Sequence, residues 1–248
     1  MALGNGGISK SRKSAPSRRG VRTGVSQAVG TATAAKNAKT AKTKNAMKKP
    51  AGRGYGAPCI VGIGASAGGL DAIREFLRAM PAGSGVAFVV IQHLDPQHKS
   101  LAAELLAKCT AMPVTEAEHG VQVAPNHVYT SPPGTIVSIK GGVLRLTRAA
   151  AGDERRLPID HFFRALGEDQ RERAIGIIFS GSGADGAFGL RTIVENGGMV
   201  IAQQPDSAQF DGMPRSAIQT GLVSAVLPIA KMRSEEHTSE LQSHSFIS

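Results

Sequence analysis

The sequence predicts an α/β fold: a doubly wound, mostly parallel sheet with helices on both faces and one β-hairpin. Short apolar runs, such as CIVGIG (59–64) and VAFVVI (86–91), alternate with segments whose apolar residues recur at helical spacing. The stretch TIVSIKGGVLRLT (135–147) has two strand-like halves around Gly141-Gly142, a pattern typical of a hairpin. Because open α/β sheets bind ligands at the carboxyl ends of their strands, we expect the functional site at that C-terminal edge.

The order of the elements follows from where each apolar pattern begins and where it is interrupted. A helix follows the first strand, with Leu70, Ile73 and Phe76 on one face, and Pro81 ends it. The other predicted strands are 86–93, 113–117, 127–131, the hairpin, 173–183, 198–203 and 222–228. The other predicted helices are one around Leu101, Leu105 and Leu106, then 158–169, 186–197 and 213–221.

Charge divides the chain into a basic tail and a neutral body. Residues 1–53 hold 13 of the 29 Lys and Arg and not one Asp or Glu, although the whole chain has a formal charge of +10. We therefore expect a disordered basic tail over 1–54 and a folded domain over 55–232. The polar stretch 233–248 breaks the alternating pattern and looks non-native, and we expect it to be a truncation artefact.

The composition argues against several classes of protein. The longest apolar run is far too short to cross a bilayer, and the N-terminus has no apolar signal region, so we expect a cytoplasmic protein without membrane insertion. The two cysteines, Cys59 and Cys109, lack metal-like spacing, and we expect neither a metal nor a cofactor. No aromatic residues interleave with the basic tail, so we expect at most non-specific contact with nucleic acid.

The glycine-rich stretch GIGASAGG (62–69) fits two kinds of site. Gly62, Gly64 and Ala67 match the fingerprint of a dinucleotide loop, whereas Gly64, Ser66 and Gly68 match the turn that presents a nucleophilic serine. A dinucleotide site needs an acidic residue at the end of the second strand, and Gln92-His93 stands there instead. The sequence therefore favours the nucleophile.

Three chemically complementary side chains follow predicted strands. Ser66 follows the first, His93 the second, and Asp185 the strand at 173–183. A serine hydroxyl needs an imidazole to remove its proton, and a carboxylate to orient that imidazole. Backbone N–H groups at the helix start near Ala67, and in the loop 181–183, suit a developing oxyanion.

Each of these residues also has a structural interpretation when it is taken alone. Ser66 could cap the helix that follows it, and Asp185 could cap the next helix along the chain. His93 could be a histidine that satisfies its hydrogen bonds at a strand end. Their joint placement at one edge of the sheet favours the catalytic interpretation.

The motifs together resemble the catalytic domain of the chemotaxis receptor protein-glutamate methylesterases of CheB type. The resemblance spans about 58–230 and rests on IGASAGGLDAI, VVIQHLDPQHKSLAAELL, MPVTEAEHG, RRLPIDHFFRAL, GIIFSGSGADGAFGL and DGMPRSAI. It implies a methylesterase domain over 55–232 that removes methyl groups from receptor glutamates, and that also deamidates certain receptor glutamines. It implies Ser66, His93 and Asp185 as the triad, and the Ala67 and Ser182 N–H groups as oxyanion donors.

The departures from stand-alone members point to one branch of the family. Ala67 replaces a usual Thr, and Ser182 replaces a frequent Met, as in methylesterase–methyltransferase hybrids. The stretches QHLDPQHKSL and PIDHFF also resemble those hybrids, which implies a methyltransferase domain in the full-length protein. The segment before Tyr55 has no carboxylate that could accept a phosphoryl group, so we do not expect regulation by phosphorylation there.

The sequence leaves two other hypotheses open. The domain could be a non-catalytic module that docks on the cytoplasmic helices of a methyl-accepting receptor, or a regulatory module of a sensory hybrid. It could also be a nucleic-acid binder that acts through its basic tail, which predicts binding that weakens steeply with salt. The complete Ser, His and Asp set argues against both.

Overall fold

The computed structural model describes residues 58–93, 101–148 and 157–232. The two predicted tails, 1–54 and 233–248, lie outside the described residues. The strands are β1 (Ile60–Ala65), β2 (Ala87–Gln92), β3 (Val114–Glu116), β4 (His127–Thr130), β5 (Thr135–Lys140), β6 (Val143–Arg148), β7 (Ala174–Ile178), β8 (Met199–Gln203) and β9 (Ala225–Leu227). The α-helices are α1 (Gly69–Ala79), α2 (Ala102–Ala107), α3 (Pro158–Gln170), α4 (Gly189–Glu195) and α5 (Gly212–Gln219).

In the described part of the chain, seven strands form one sheet in the order β3-β4-β2-β1-β7-β8-β9. Every pairing in this sheet is parallel. The chain places β2, β3 and β4 on one side of β1, with β4 between β2 and the edge strand β3, and then adds β7, β8 and β9 on the other side. The order of strands therefore reverses at β1, and this is where an open α/β sheet leaves a crevice for a ligand.

Helices cover both faces of the sheet, which confirms the predicted fold class. On one face α3, α4, α5 and the hairpin enclose an apolar core that includes Phe162, Phe163 and Leu190. On the other face α1 and α2 cover a second core around Phe76, where the rings of Phe88 and Phe179 meet its ring edge-on. Since the central strands are buried on both faces, their sequences are apolar throughout rather than alternating.

The hairpin forms where the sequence predicts it. Strands β5 and β6 pair antiparallel around Gly141 and Gly142, whose φ angles of 61° and 71° lie in the left-handed region that glycine adopts without strain. The carboxylate of Asp169, near the end of α3, accepts hydrogen bonds from both glycine N–H groups. The turn is therefore fixed to the helix that also borders the site.

The glycines of β1 are explained by helix packing. A Cβ atom on Gly62 would lie 2.9 Å from Leu166 Cδ2, and one on Gly64 would overlap Ile159 Cγ2. Both contacts come from α3, which lies directly on the strand. The two glycines therefore let α3 approach the sheet, and they do not line the loop where a dinucleotide would bind.

No helix in the described ranges is long and apolar enough to span a membrane.

Candidate active site

Ser66 lies in a tight turn between β1 and α1. The Ser66 N–H donates to the carbonyl of Ser180 at 3.0 Å, and the Ser66 carbonyl accepts from Gly69 at 2.9 Å. The N-cap of α1 is Gly68, with a φ of 67° and no side-chain cap. Ser66 is therefore not the helix cap, and its half-buried side chain is left for another role.

His93 and Asp185 form a hydrogen-bonded pair. The distance from His93 Nε2 to Asp185 Oδ2 is 2.5 Å, with the imidazole 40% exposed and the carboxylate 4% exposed. This contact uses Nε2, which leaves Nδ1 as the nitrogen that can accept a proton. A buried carboxylate in this position fixes the tautomer of the ring and stabilises its protonated form.

Asp185 is held by the helix α3, which lies earlier in the chain. Its carboxylate accepts the N–H of Ile159 and the N–H of Asp160, each at 3.0 Å. These are first-turn groups of α3, which otherwise lack partners within the helix. Asp185 thus caps α3 and not α4, whose N-cap is Phe188. The N-terminal end of a helix dipole also stabilises the negative charge of the carboxylate.

The register of the sheet places Ser66 and His93 at the ends of neighbouring strands. Ala65 pairs with Gln92 at the ends of β1 and β2, so each of the two side chains stands one residue beyond a paired position. Neighbouring strands are about 4.8 Å apart, which places both residues at the same point of the edge. The Ser66 hydroxyl makes no hydrogen bond to any described residue. Such contacts are often long before substrate binds.

The loop after β7 approaches Ser66 from the other side. A Cβ atom on Gly181 would lie 3.0 Å from Ser66 Cβ, so the two glycine-rich loops are in contact. The N–H groups of Ala67 and Ser182 donate no hydrogen bond to any described residue. The structure therefore presents two free backbone donors in the two loops that meet at Ser66.

Comparison with known proteins identifies the family to which the chain belongs. The family model described as CheB methylesterase matches residues 61–235. The chain belongs to the CheB methylesterase family. The crystal structure of the Thermotoga maritima CheB methylesterase catalytic domain superposes with a TM-score of 0.67 at 29% identity, covering 74% of this chain and 98% of that one.

Two relatives are longer than the stretch that aligns with this chain. The protein-glutamate methylesterase/protein-glutamine glutaminase of Photorhabdus laumondii is 34% identical over 177 residues, which are 70% of this chain and 50% of that protein. An uncharacterized 104.1 kDa protein of Rhodobacter capsulatus is 42% identical over 133 residues, 52% of this chain but only 14% of its own length. The chain thus spans about half the length of the curated methylesterase that it matches, and a much smaller part of the larger protein.

Two residues of this CheB-type domain border the site and were missed by the sequence argument. Asp160 is 3% exposed, and its Oδ1 accepts the N–H of Gly189 at 2.6 Å. Its Oδ2 is buried and has no hydrogen-bond partner among the described residues. Burial raises the pKa of this carboxyl and the nearby charge of Asp185 adds to the rise, while the Gly189 N–H opposes it.

The second missed residue is Ser180, which is 1% exposed and lies between the two glycine-rich loops. No motif marks Ser180, because the neighbouring glycines alone account for the pattern of this loop. Among the described residues, no three His, Cys, Asp or Glu side chains lie close enough together to hold a metal ion.

Proposed function

We propose that this chain is a serine hydrolase that removes methyl esters from glutamate side chains of methyl-accepting chemotaxis receptors and releases methanol. The observation that carries the proposal is the His93–Asp185 pair, which stands at the end of the strand next to the one that presents Ser66. Membership of the CheB methylesterase family supports the ester specificity, and the name of the Photorhabdus laumondii relative supports deamidation of receptor glutamines as a second activity.

The proposed reaction has two steps. His93 takes the proton of the Ser66 hydroxyl, and Ser66 Oγ bonds to the carbonyl carbon of the methyl ester. The N–H groups of Ala67 and Ser182 donate to the oxyanion that forms. The carbon–methoxy bond then breaks, and methoxide leaves as methanol with the proton from His93. A water molecule, deprotonated by His93, hydrolyses the acyl-enzyme and restores Ser66.

The partner that we propose is the set of cytoplasmic helices of a methyl-accepting receptor, since these carry the methylated glutamates. We further propose that a methyltransferase domain accompanies this domain in the full-length protein. The resemblance to hybrid proteins in QHLDPQHKSL and PIDHFF supports this, and so does the alignment of this chain with only 14% of the far longer Rhodobacter capsulatus protein. Sequencing the gene beyond Met232 tests it, since a different downstream domain would contradict it.

The function is tested by methanol release from methylated receptor by the wild-type chain and by Ser66→Ala. We expect the variant to be slower by about 10⁴-fold or more, because the nucleophile is lost while the fold is unchanged. Labelling by a fluorophosphonate probe is a second measurement, since only an activated serine reacts. Equal methanol release by both proteins rejects the assignment. Receptor binding without either reaction would identify a non-catalytic docking module instead.

A further inference from the structure

The polar groups of Ser180 join three segments around the site. Its N–H donates to Gln203 Oε1 at 2.9 Å, and its carbonyl accepts the N–H of Ser66 at 3.0 Å. Its hydroxyl donates to the carbonyl of Ala67 at 2.9 Å and accepts the N–H of Phe210 at 2.9 Å. A single buried residue thus connects β8, the loop of the nucleophile and the loop before α5.

The contacts to Ser66 and Ala67 hold the backbone on both sides of one peptide group. Ser180 binds the N–H before that peptide group and the carbonyl after it. The peptide group between Ser66 and Ala67 carries the free Ala67 N–H. Because a peptide group is planar and rotates only about its two flanking bonds, fixing its neighbours limits the direction in which that N–H points.

The contact to Phe210 extends the same control to the second loop. The carbonyl of Phe210 accepts the N–H of Gly181 at 2.9 Å, and Gly181 directly precedes Ser182. The carbonyl of Gly181 in turn accepts the N–H of Met213 at 2.8 Å. The Ser180 hydroxyl therefore fixes a backbone segment that holds the start of the 181–183 loop in place.

Ser180 is itself anchored from behind. Gln203 is 1% exposed, and its amide Nε2 donates to the carbonyl of Ser207 at 2.9 Å. This amide is thus oriented before it accepts the Ser180 N–H. A network with all of its members satisfied is rigid, and rigid support is what holds catalytic groups in a productive geometry.

We propose that Ser180 is a positioning residue whose hydroxyl aims the Ala67 and Ser182 N–H groups at the oxyanion of the ester reaction. The inference rests on the proposed function of Ser66 and deepens it by assigning what holds the oxyanion donors. Ser180 does not touch the reacting atoms. It acts through the two backbone segments that its hydroxyl joins.

The test compares side chains at position 180 with and without a hydroxyl. The chain is reacted with a fluorophosphonate, in which Ser66 Oγ bonds to phosphorus, the P–F bond breaks and the serine proton passes to His93. We expect Ser180→Ala to lower the second-order rate constant of labelling by about 10- to 100-fold, since a small misplacement of an oxyanion donor has effects of this size.

Two further variants separate the hydroxyl from the shape of the side chain. Ser180→Thr keeps the hydroxyl and Ser180→Val has the same shape without it, so we expect labelling by the Thr variant to be at least about 10-fold faster. With methylated receptor, we expect kcat to fall in Ser180→Ala while KM changes little, because the oxyanion exists only in the transition state.

Thr220→Val is the matched control. The thermal unfolding of every variant is also measured, to check that each is folded at the assay temperature. Thr220 also donates to one carbonyl and accepts one N–H, but at the far end of α5, so its loss should leave labelling unchanged. Equal labelling of wild type and Ser180→Ala overturns the positioning role and leaves Ser66 as nucleophile. Equally slow labelling of Ser180→Thr and Ser180→Val also overturns the positioning role. Labelling of Ser66→Ala at the wild-type rate, or none of wild type, overturns the proposed function and the positioning role with it.

Discussion

Two buried carboxylates meet at the first turn of α3, and they are held in very different ways. Asp185 accepts two backbone N–H groups and contacts His93, so both of its oxygens have partners. Asp160 accepts one N–H from Gly189, and its second oxygen is buried without a hydrogen-bond partner among the described residues. The N–H of Asp160 is one of the two groups that hold Asp185.

The difference indicates that the two carboxylates at the first turn of α3 have different roles. The free N–H groups of Ile159 and Asp160 in the first turn of α3 donate to the carboxylate that contacts His93, which fixes the position of that carboxylate. Asp160 is left with a single donor and an unfavourable environment for charge, which raises its pKa. We infer that Asp185 serves the reaction and that Asp160 joins α3 to α4, and substitutions can separate these roles.

The largest effect is expected for Asp185→Asn. An amide has only one acceptor oxygen. In the place of Oδ2 its NH₂ would face His93 and the N–H of Ile159, and in the place of Oδ1 it would face the N–H of Asp160. We expect fluorophosphonate labelling of Ser66 to fall by about 10³- to 10⁴-fold, because the imidazole loses its orientation and the stabilisation of its protonated form. Unfolding by urea should show a loss of about 1–3 kcal/mol from the unsatisfied donor.

Asp160→Asn is the matched control for that experiment. It makes the same chemical change in the neighbouring carboxylate, whose own N–H donates to Asp185. We expect its labelling rate to stay within about 10-fold of wild type, because no contact to His93 is altered. A loss as large as that of Asp185→Asn would contradict the division of roles between the two carboxylates.

A smaller effect is expected when Asp160 is shortened. Asp160→Ala leaves the N–H of the buried Gly189 without an acceptor, and we expect a loss of about 1–3 kcal/mol in the free energy of unfolding. Asp160→Asn keeps an oxygen at the same place, so its loss should be below about 1 kcal/mol. Urea denaturation of the two variants measures the difference, and equal losses would show that the hydrogen bond to α4 is not what Asp160 contributes.

The fold class and the family were predictable from the sequence because both depend on patterns along the chain. Alternating strands and helices require a parallel sheet, and parallel strands bring their carboxyl ends to one edge. That reasoning predicted Ser66, His93 and Asp185 at one edge of the sheet. The structure joins His93 to Asp185, and the register places Ser66 at the end of the strand beside the one that His93 follows. Their catalytic roles, and those of Ala67 and Ser182, stay predictions.

The supporting residues could not be found in this way because their roles depend on contacts between distant segments. Asp160 is an acidic residue in the first turn of a helix, which is a common preference at the surface. Its burial arises only because α4 packs on α3. Likewise, Gly62 and Gly64 match a nucleotide fingerprint, and only the positions of Leu166 and Ile159, about 100 residues later, show that they make room for a helix.

The smallest expected effect is a dependence of stability on pH that comes from Asp160. Burial and the charge of Asp185 raise its pKa above the ordinary 3.8, so the folded chain binds this proton more tightly than the unfolded chain. The stabilisation of the neutral carboxyl is complete below pH 3.8 and is lost as the pH rises through the raised pKa. Asp160→Asn has no proton to lose there, so its free energy of unfolding relative to wild type should increase between pH 4 and pH 7. Urea denaturation at several pH values measures this difference. A constant difference would show that Asp160 titrates alike in both states, and the contrast with Asp185 would then lie in hydrogen bonding alone.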